Sequence, residues 1–251
     1  MMTILDPTTL ALIALIMVLG GTVKGALGLG LPLVCVGFMS MFLPAREVLG
    51  IAIIPILVTN AWQAYESGSG MTELRRVWPL ILCLWVGLGF GVHVAASLSP
   101  QDLYAAIGGL LVFFCVTGFA TPSARLPKKL ELPVGIVMGV FSGFSGGVST
   151  IWGPPVSMYL LMLGMKKDEF VRTVGIVWCS AAVPVALLYA GKGIIHEDNA
   201  LLSLLACVPA MAGIWVGQHI RRRISQELFQ RVLLITLLVM GLNLIRRAYF
   251  A

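Results

Sequence analysis

The chain has 251 residues, of which 59% are apolar and only 11% charged, with a mean hydropathy of +0.97. A soluble domain carries about 25% charged residues, so a surface this poor in charge excludes water as the main solvent and points to lipid. The formal charge of +6 lies in short basic clusters between apolar runs, which argues against a nucleic-acid partner and reads as membrane topology.

The N-terminus has neither a basic leading segment nor a small-x-small cleavage site, so it is read as mature protein. The first apolar stretches fall near residues 8–23 and 31–43. At ~1.5 Å per residue they give ~24 and ~20 Å of helix, each short for a crossing of ~30 Å. Between them lies Lys24-Gly25-Ala26-Leu27-Gly28-Leu29-Gly30-Leu31-Pro32. Glycine admits positive φ and proline removes a donor, so a helix breaks here. A stretch near 45–65 follows, with Pro55, Asn60 and Gln63, then stretches near 77–98 and 102–120. A polar linker covers 122–132.

The second set of stretches falls near 133–146, 150–164, 169–190, 199–220 and 227–245. Its first pair is broken by Gly143-Phe144-Ser145-Gly146-Gly147-Val148-Ser149-Thr150 and then Gly153-Pro154-Pro155. The sets match in order. Gly87, Gly91 and His93 align with Gly213, Gly217 and His219 at a shift of 126, which also pairs Ser99 with Ser225. Gly50 aligns with Gly175 at 125, and Gly21, Gly25 and Gly28 with Gly139, Gly143 and Gly146 at 118. Ordered coincidences of this kind indicate duplication, a recurring transporter plan. Residues 1–121 form the first repeat and 133–251 the second.

Loop charge decides whether each broken pair crosses once or returns as a hairpin. As hairpins, the pairs put ten basic residues on one face (Arg75, Arg76, Arg125, Lys128, Lys129, Lys166, Lys167 and Arg221–Arg223) and four on the other (Arg46, Lys192, Arg246 and Arg247). As single crossings they divide nearly evenly, so the positive-inside rule favours hairpins. The expected fold is all-α and polytopic: two inverted repeats, each a broken helical hairpin plus three full transmembrane helices. Both termini then face the periplasm of a bacterial inner membrane. The five cysteines, Cys35, Cys83, Cys115, Cys179 and Cys207, lie in apolar runs without paired spacing and read as buried hydrophobes.

On the first break (Gly25 to Pro32), Pro55 with Asn60 and Gln63, and the second break (Gly139 to Pro155), the sequence resembles the sulfite exporter TauE/SafE family, also called the 4-toluene sulfonate uptake permeases, nearly end to end. Many members carry three successive glycines at the first break, where this chain has Gly28-Leu29-Gly30. The resemblance implies transport of sulfur-containing anions such as sulfite, sulfoacetate or other organosulfonates.

Helices that start inside the membrane present unpaired N–H groups and a positive dipole end. At the first break Gly28, Gly30 and Leu31 are expected to offer such donors, and Lys24 a cation. At the second, Gly146 and Gly147 offer amides, Ser145, Ser149 and Thr150 add hydroxyls, and Trp152 forms a wall. The competing readings are close helix packing for the glycines, snorkelling for Lys24 and an ordinary apolar contact for Trp152. Asn60 and Gln63 face no polar counterparts at Val185 and Leu188, so they are substrate contacts or interhelical bonds. Arg172 is expected to pair locally with Asp168 or Glu169. His93 and His219 read as structural before proton-coupling residues.

These residues describe a secondary carrier of a small anion, with the two hairpin tips meeting near the midplane. Its partners are the anion and the bilayer, with protons or sodium as coupling ions and the oligomeric state open. No enzyme activity, cofactor or metal is expected. The rivals are an anion channel and an intramembrane serine protease built on Gly143-Phe144-Ser145-Gly146 and His219, whose residues lack a shared geometry in sequence.

Overall fold

The computed structural model describes residues 6–67, 71–119, 125–165, 167–220, 235, 238–239 and 241–249. The described residues contain no strand. The helices run α1 (Pro7–Leu27), α2 (Leu31–Met39), α3 (Ala45–Ser67), α4 (Met71–Ser97), α5 (Pro100–Phe119), α6 (Lys128–Ser149), α7 (Gly153–Met162), α8 (Lys167–Gly191) and α9 (Glu197–Ile220). Residues 241–249 are also helical. Six of these helices are long and apolar enough to cross a bilayer, and α5 adds the shorter apolar segment Pro100–Val116. The expected stretch near 227–245 is described only in part, and Arg221–Arg223 and Ser225 lie outside the described residues.

The first arm of each break is longer than its apolar core. With 21 residues in α1 and 22 in α6, these arms measure ~31 and ~33 Å, enough for a full crossing. Apolar runs underestimate them because polar ends remain helical. Asp6 caps α1 by accepting from the amides of Thr8 and Thr9 at 3.2 and 3.3 Å. Helix α6 starts at Lys128, inside the expected linker. Only the second arms are short, with nine residues in α2 and ten in α7.

Both short arms fold back on the long ones. Cys35 Sγ lies 3.5 Å from Met17 Sδ, and a Cβ on Gly20 would stand 3.4 Å from the Leu31 carbonyl oxygen. In the second break Ser142 Oγ donates to the Trp152 carbonyl, Tyr159 Oη donates to the Glu131 carbonyl at 3.0 Å, and the Leu126 amide donates to the Met162 carbonyl at 2.8 Å. Pairs whose numbers rise on one strand and fall on the other define hairpins, not bent single crossings.

The chain forms two compact units that interleave the sequence. One comprises residues 1–56, 98–119 and 193–251, the other 57–97 and 120–192. Each hairpin therefore packs on a helix from the other half of the chain. In the first unit α1 lies along α9, and in the second α6 lies along α4. Glycines set both crossings. A Cβ on Gly21 or Gly25 would strike the carbonyls of Ala210 and Ile214, and one on Gly143 or Gly147 those of Leu84 and Leu88. Gly213 and Gly217 return the contact to Val18 and Thr22, as Gly87 and Gly91 do to Val140 and Phe144. Each contact thus recurs with the hairpin residue moved by 122 positions and its partner by 126. The glycine alignment at 118 is one helical turn out of register, because Gly21 and Gly25, spaced by four, still meet glycines after a slip of four, at Gly143 and Gly147.

Two membrane helices contain prolines whose orphaned carbonyls are held by a neighbouring helix. Pro55 in α3 removes the donor for Ile51 O, and Ser203 Oγ of α9 donates to that oxygen at 2.7 Å while accepting from the Ile54 amide at 3.3 Å. Pro184 in α8 does the same to Ser180 O, which receives Trp85 Nε1 of α4 at 2.9 Å. In lipid, where water cannot replace these bonds, such a partner is required.

Candidate functional site

The first break is built from backbone torsions that suit glycine. Gly28 and Gly30 have φ of 79° and 111°, in the left-handed region where a side chain is strained. The Gly28 amide closes α1 on the Lys24 carbonyl at 2.6 Å. Helix α2 then starts at Leu31 with Pro32 in its first turn and no side chain capping it. Its leading amides, at Leu31 and Leu33, have no partner within the helix. Lys24 stands on the last turn of α1 and is 4% exposed. A snorkelling lysine keeps its ammonium in water, which this burial contradicts. A lysine buried within a membrane-spanning unit is costly and faces a partner or a cavity.

The second break differs in how it is held. Thr150 ends α6 with φ of 60°, the same left-handed cap as Gly28 but on a residue that carries a side chain, a sparsely populated geometry. Its amide donates to Gly146 O at 2.7 Å. The hydroxyls expected to face an anion donate instead to backbone carbonyls. Ser145 Oγ lies 3.0 Å from Ser142 O and 2.9 Å from Ile151 O. Ser149 Oγ donates to Ser145 O at 2.7 Å, and Thr150 Oγ1 to Ser149 O at 2.6 Å. A hydroxyl has one hydrogen to donate, so in this geometry these three stabilise the turn. Trp152 is buried and covers Gly146, where a Cβ would meet its ring at 2.7 Å. Gly147 serves the α4 crossing and accepts from Tyr189 Oη at 2.8 Å.

Of the remaining predicted residues, Asn60 is buried and its Nδ2 donates to Trp178 O on α8 at 3.4 Å. Gln63 lies where α3 runs against Gly175 of α8, a Cβ there coming within 3.6 Å of the Gln63 carbonyl carbon. The Trp178 ring edge in turn lies 3.2 Å from the Cβ position of Gly153, the first residue of α7. The second unit therefore joins Asn60 to the start of α7 through Trp178. Lys24, Gly28, Gly30 and Leu31 belong to the first unit. The supports Ser142, Tyr189 and Trp178 have no sequence signal beyond their polarity inside apolar runs.

Charged groups cluster at the helix ends. Arg76 of α4 lies 3.1 Å from Glu131 of α6 and 3.6 Å from Glu169 of α8. Arg172 of α8 pairs with Glu73 of α4 at 3.2 Å, so the N-terminal ends of α4 and α8 lie side by side, while the Asp168 side chain of the expected local pair lies outside the described residues. In the first unit His196 Nε2 meets Glu47 Oε1 at 3.1 Å, and Asn199 Nδ2 reaches Glu47 Oε2 at 3.2 Å. His219 is exposed, its Nδ1 2.7 Å from Trp215 O and its ring 4.4 Å from the Trp215 ring. The histidine that faces a carboxylate is thus His196, which the sequence did not single out.

Six membrane-length helices and two helix breaks define a polytopic α-helical membrane protein of the transporter type. The chain belongs to the sulfite exporter TauE/SafE family, whose model matches residues 13–244. No curated protein and no solved structure matches it.

Proposed function

We propose that this protein is a secondary carrier of a small sulfur-containing anion, such as sulfite, sulfoacetate or another organosulfonate. The observation that carries the reading is Lys24, buried to 4% exposure on the last turn of α1 beside the uncapped start of α2. A cation and amides without an acceptor in their own helix, together at one break, are the chemistry that replaces water around an anion. Relative motion of the two parts of the molecule exposes the anion to each side in turn. The hairpins, the basic loops and the recurring crossings support two inverted repeats in a bacterial inner membrane, with both termini in the periplasm.

Uptake into proteoliposomes from a panel of sulfite, sulfonates and carboxylates tests the function. Saturable uptake that prefers sulfur oxyanions and is accelerated by unlabelled anion on the far side is expected. Uptake that never saturates and shows no counterflow would instead identify a channel. A reporter that fluoresces only in the cytosol, fused after residue 251, should stay dark.

A further inference from the structure

We propose that Ser157, one turn into α7, donates its hydroxyl to an oxygen of the transported oxyanion at the second break. The inference rests on the anion-carrier reading and assigns a contact to it.

Ser157 is 9% exposed, and its Oγ has no hydrogen-bond partner among the described residues. Thr9 in the first turn of α1 and Ser40 at the far end of α2 are also buried without a partner, but neither lies beside a break, and other helical hydroxyls behave differently. Thr22, Ser149 and Thr173 each donate to the carbonyl four residues back, the usual fate of a helical hydroxyl. The equivalent acceptor for Ser157 is Gly153 O, and the bond is not made. An unsatisfied buried hydroxyl is costly, and such a group calls for an explanation.

Position supplies one. Ser157 follows Gly153 by four residues, so both lie on one face of α7. Each Cα–Cβ bond in a helix leans toward the N-terminus, which carries the Ser157 hydroxyl toward the first turn. That turn has no side-chain cap, and Pro154 and Pro155 remove two of its leading N–H groups. A helix start poor in amides gains a donor from Ser157. The indole of Trp178 borders the same face at Gly153, and Asn60 holds the Trp178 carbonyl. The corresponding residue of the first hairpin, 122 positions earlier, is Cys35, whose Sγ rests on Met17 Sδ at 3.5 Å. The hydroxyl is therefore particular to the second break.

The test is binding of sulfite and sulfoacetate to the purified full chain, with thermal stability measured on the same samples. Ser157→Ala is expected to weaken binding about tenfold, the loss of one hydrogen bond to a charged group. Its melting temperature should be unchanged or higher, because no bond within the protein is lost. Ser157→Thr, which keeps the hydroxyl, should bind within about threefold of the parent chain. Unchanged affinity in Ser157→Ala overturns the inference while leaving the carrier reading intact. A lowered melting temperature in Ser157→Ala with equal loss of binding in Ser157→Thr also overturns it, since the residue is then structural. If the parent chain binds neither anion, both readings fail together.

Discussion

At the residue scale the decisive comparison is between hydroxyls braced by the turn they occupy and a lysine buried at a helix break. Ser145, Ser149 and Thr150 look like ligands in sequence, yet each donates to a carbonyl of the turn it occupies. Lys24 looks equally like a lysine that could snorkel, yet it is buried. The difference yields opposite expectations. Lys24→Ala should weaken anion binding by tenfold or more, as loss of a charged contact of about 1.5–3 kcal/mol implies, and leave a folded protein. Equilibrium binding with circular dichroism on the same sample checks this, and unchanged affinity removes Lys24 from the site. Ser145→Ala should do the reverse. It orphans Ile151 O at a cost of about 1–3 kcal/mol and lowers the melting temperature, while saturating transport persists. Complete loss of function in a stably folded Ser145→Ala would favour a nucleophile at that position.

At the element scale, α3 and α8 persist through Pro55 and Pro184 because α9 and α4 supply the missing donors. Ser203→Ala leaves Ile51 O without its donor in a setting that water does not reach. A loss of about 1–3 kcal/mol is expected, read by thermal unfolding in detergent. In a Pro55→Ala background the restored amide at position 55 can bond Ile51 O, so Ser203→Ala should then cost much less. A double-mutant cycle isolates that coupling. Additive losses would show that Ser203 stabilises α3 in some other way. The glycine crossings belong to the same scale. Gly21, Gly25, Gly143 and Gly147, with Gly213, Gly217, Gly87 and Gly91 across from them, lie against backbone, so their recurrence reflects one crossing geometry used twice.

At the scale of the whole molecule, each hairpin depends on a helix from the opposite half of the chain. Helix α1 needs α9, and α6 needs α4. Residues 1–121 and 122–251 expressed separately should each fail to give a stable membrane protein, and co-expression should restore a complex that co-purifies. A first half that is monodisperse and resistant to protease by itself would contradict this dependence. The boundary between the units falls after Ile56, one residue past Pro55 within a continuous helix, and again at the α4–α5 turn, after Phe119 and at the α8–α9 turn.

Membrane embedding, both breaks and the hairpin geometry were legible in sequence, because hydropathy, loop charge and glycine–proline runs are local or additive properties. Family membership was legible on the same motifs. The tertiary structure alone decided which polar side chains are consumed by the fold. A hydroxyl in an apolar run is equally consistent with a ligand and with a brace until its nearest carbonyl is known. It also decided the pairing of α1 with α9 and α6 with α4, since helices in lipid associate through surface shape and close backbone approach, which composition does not encode. The burial of Lys24 and the unpartnered hydroxyl of Ser157 depend on those pairings, for burial is a property of neighbours distant in the chain.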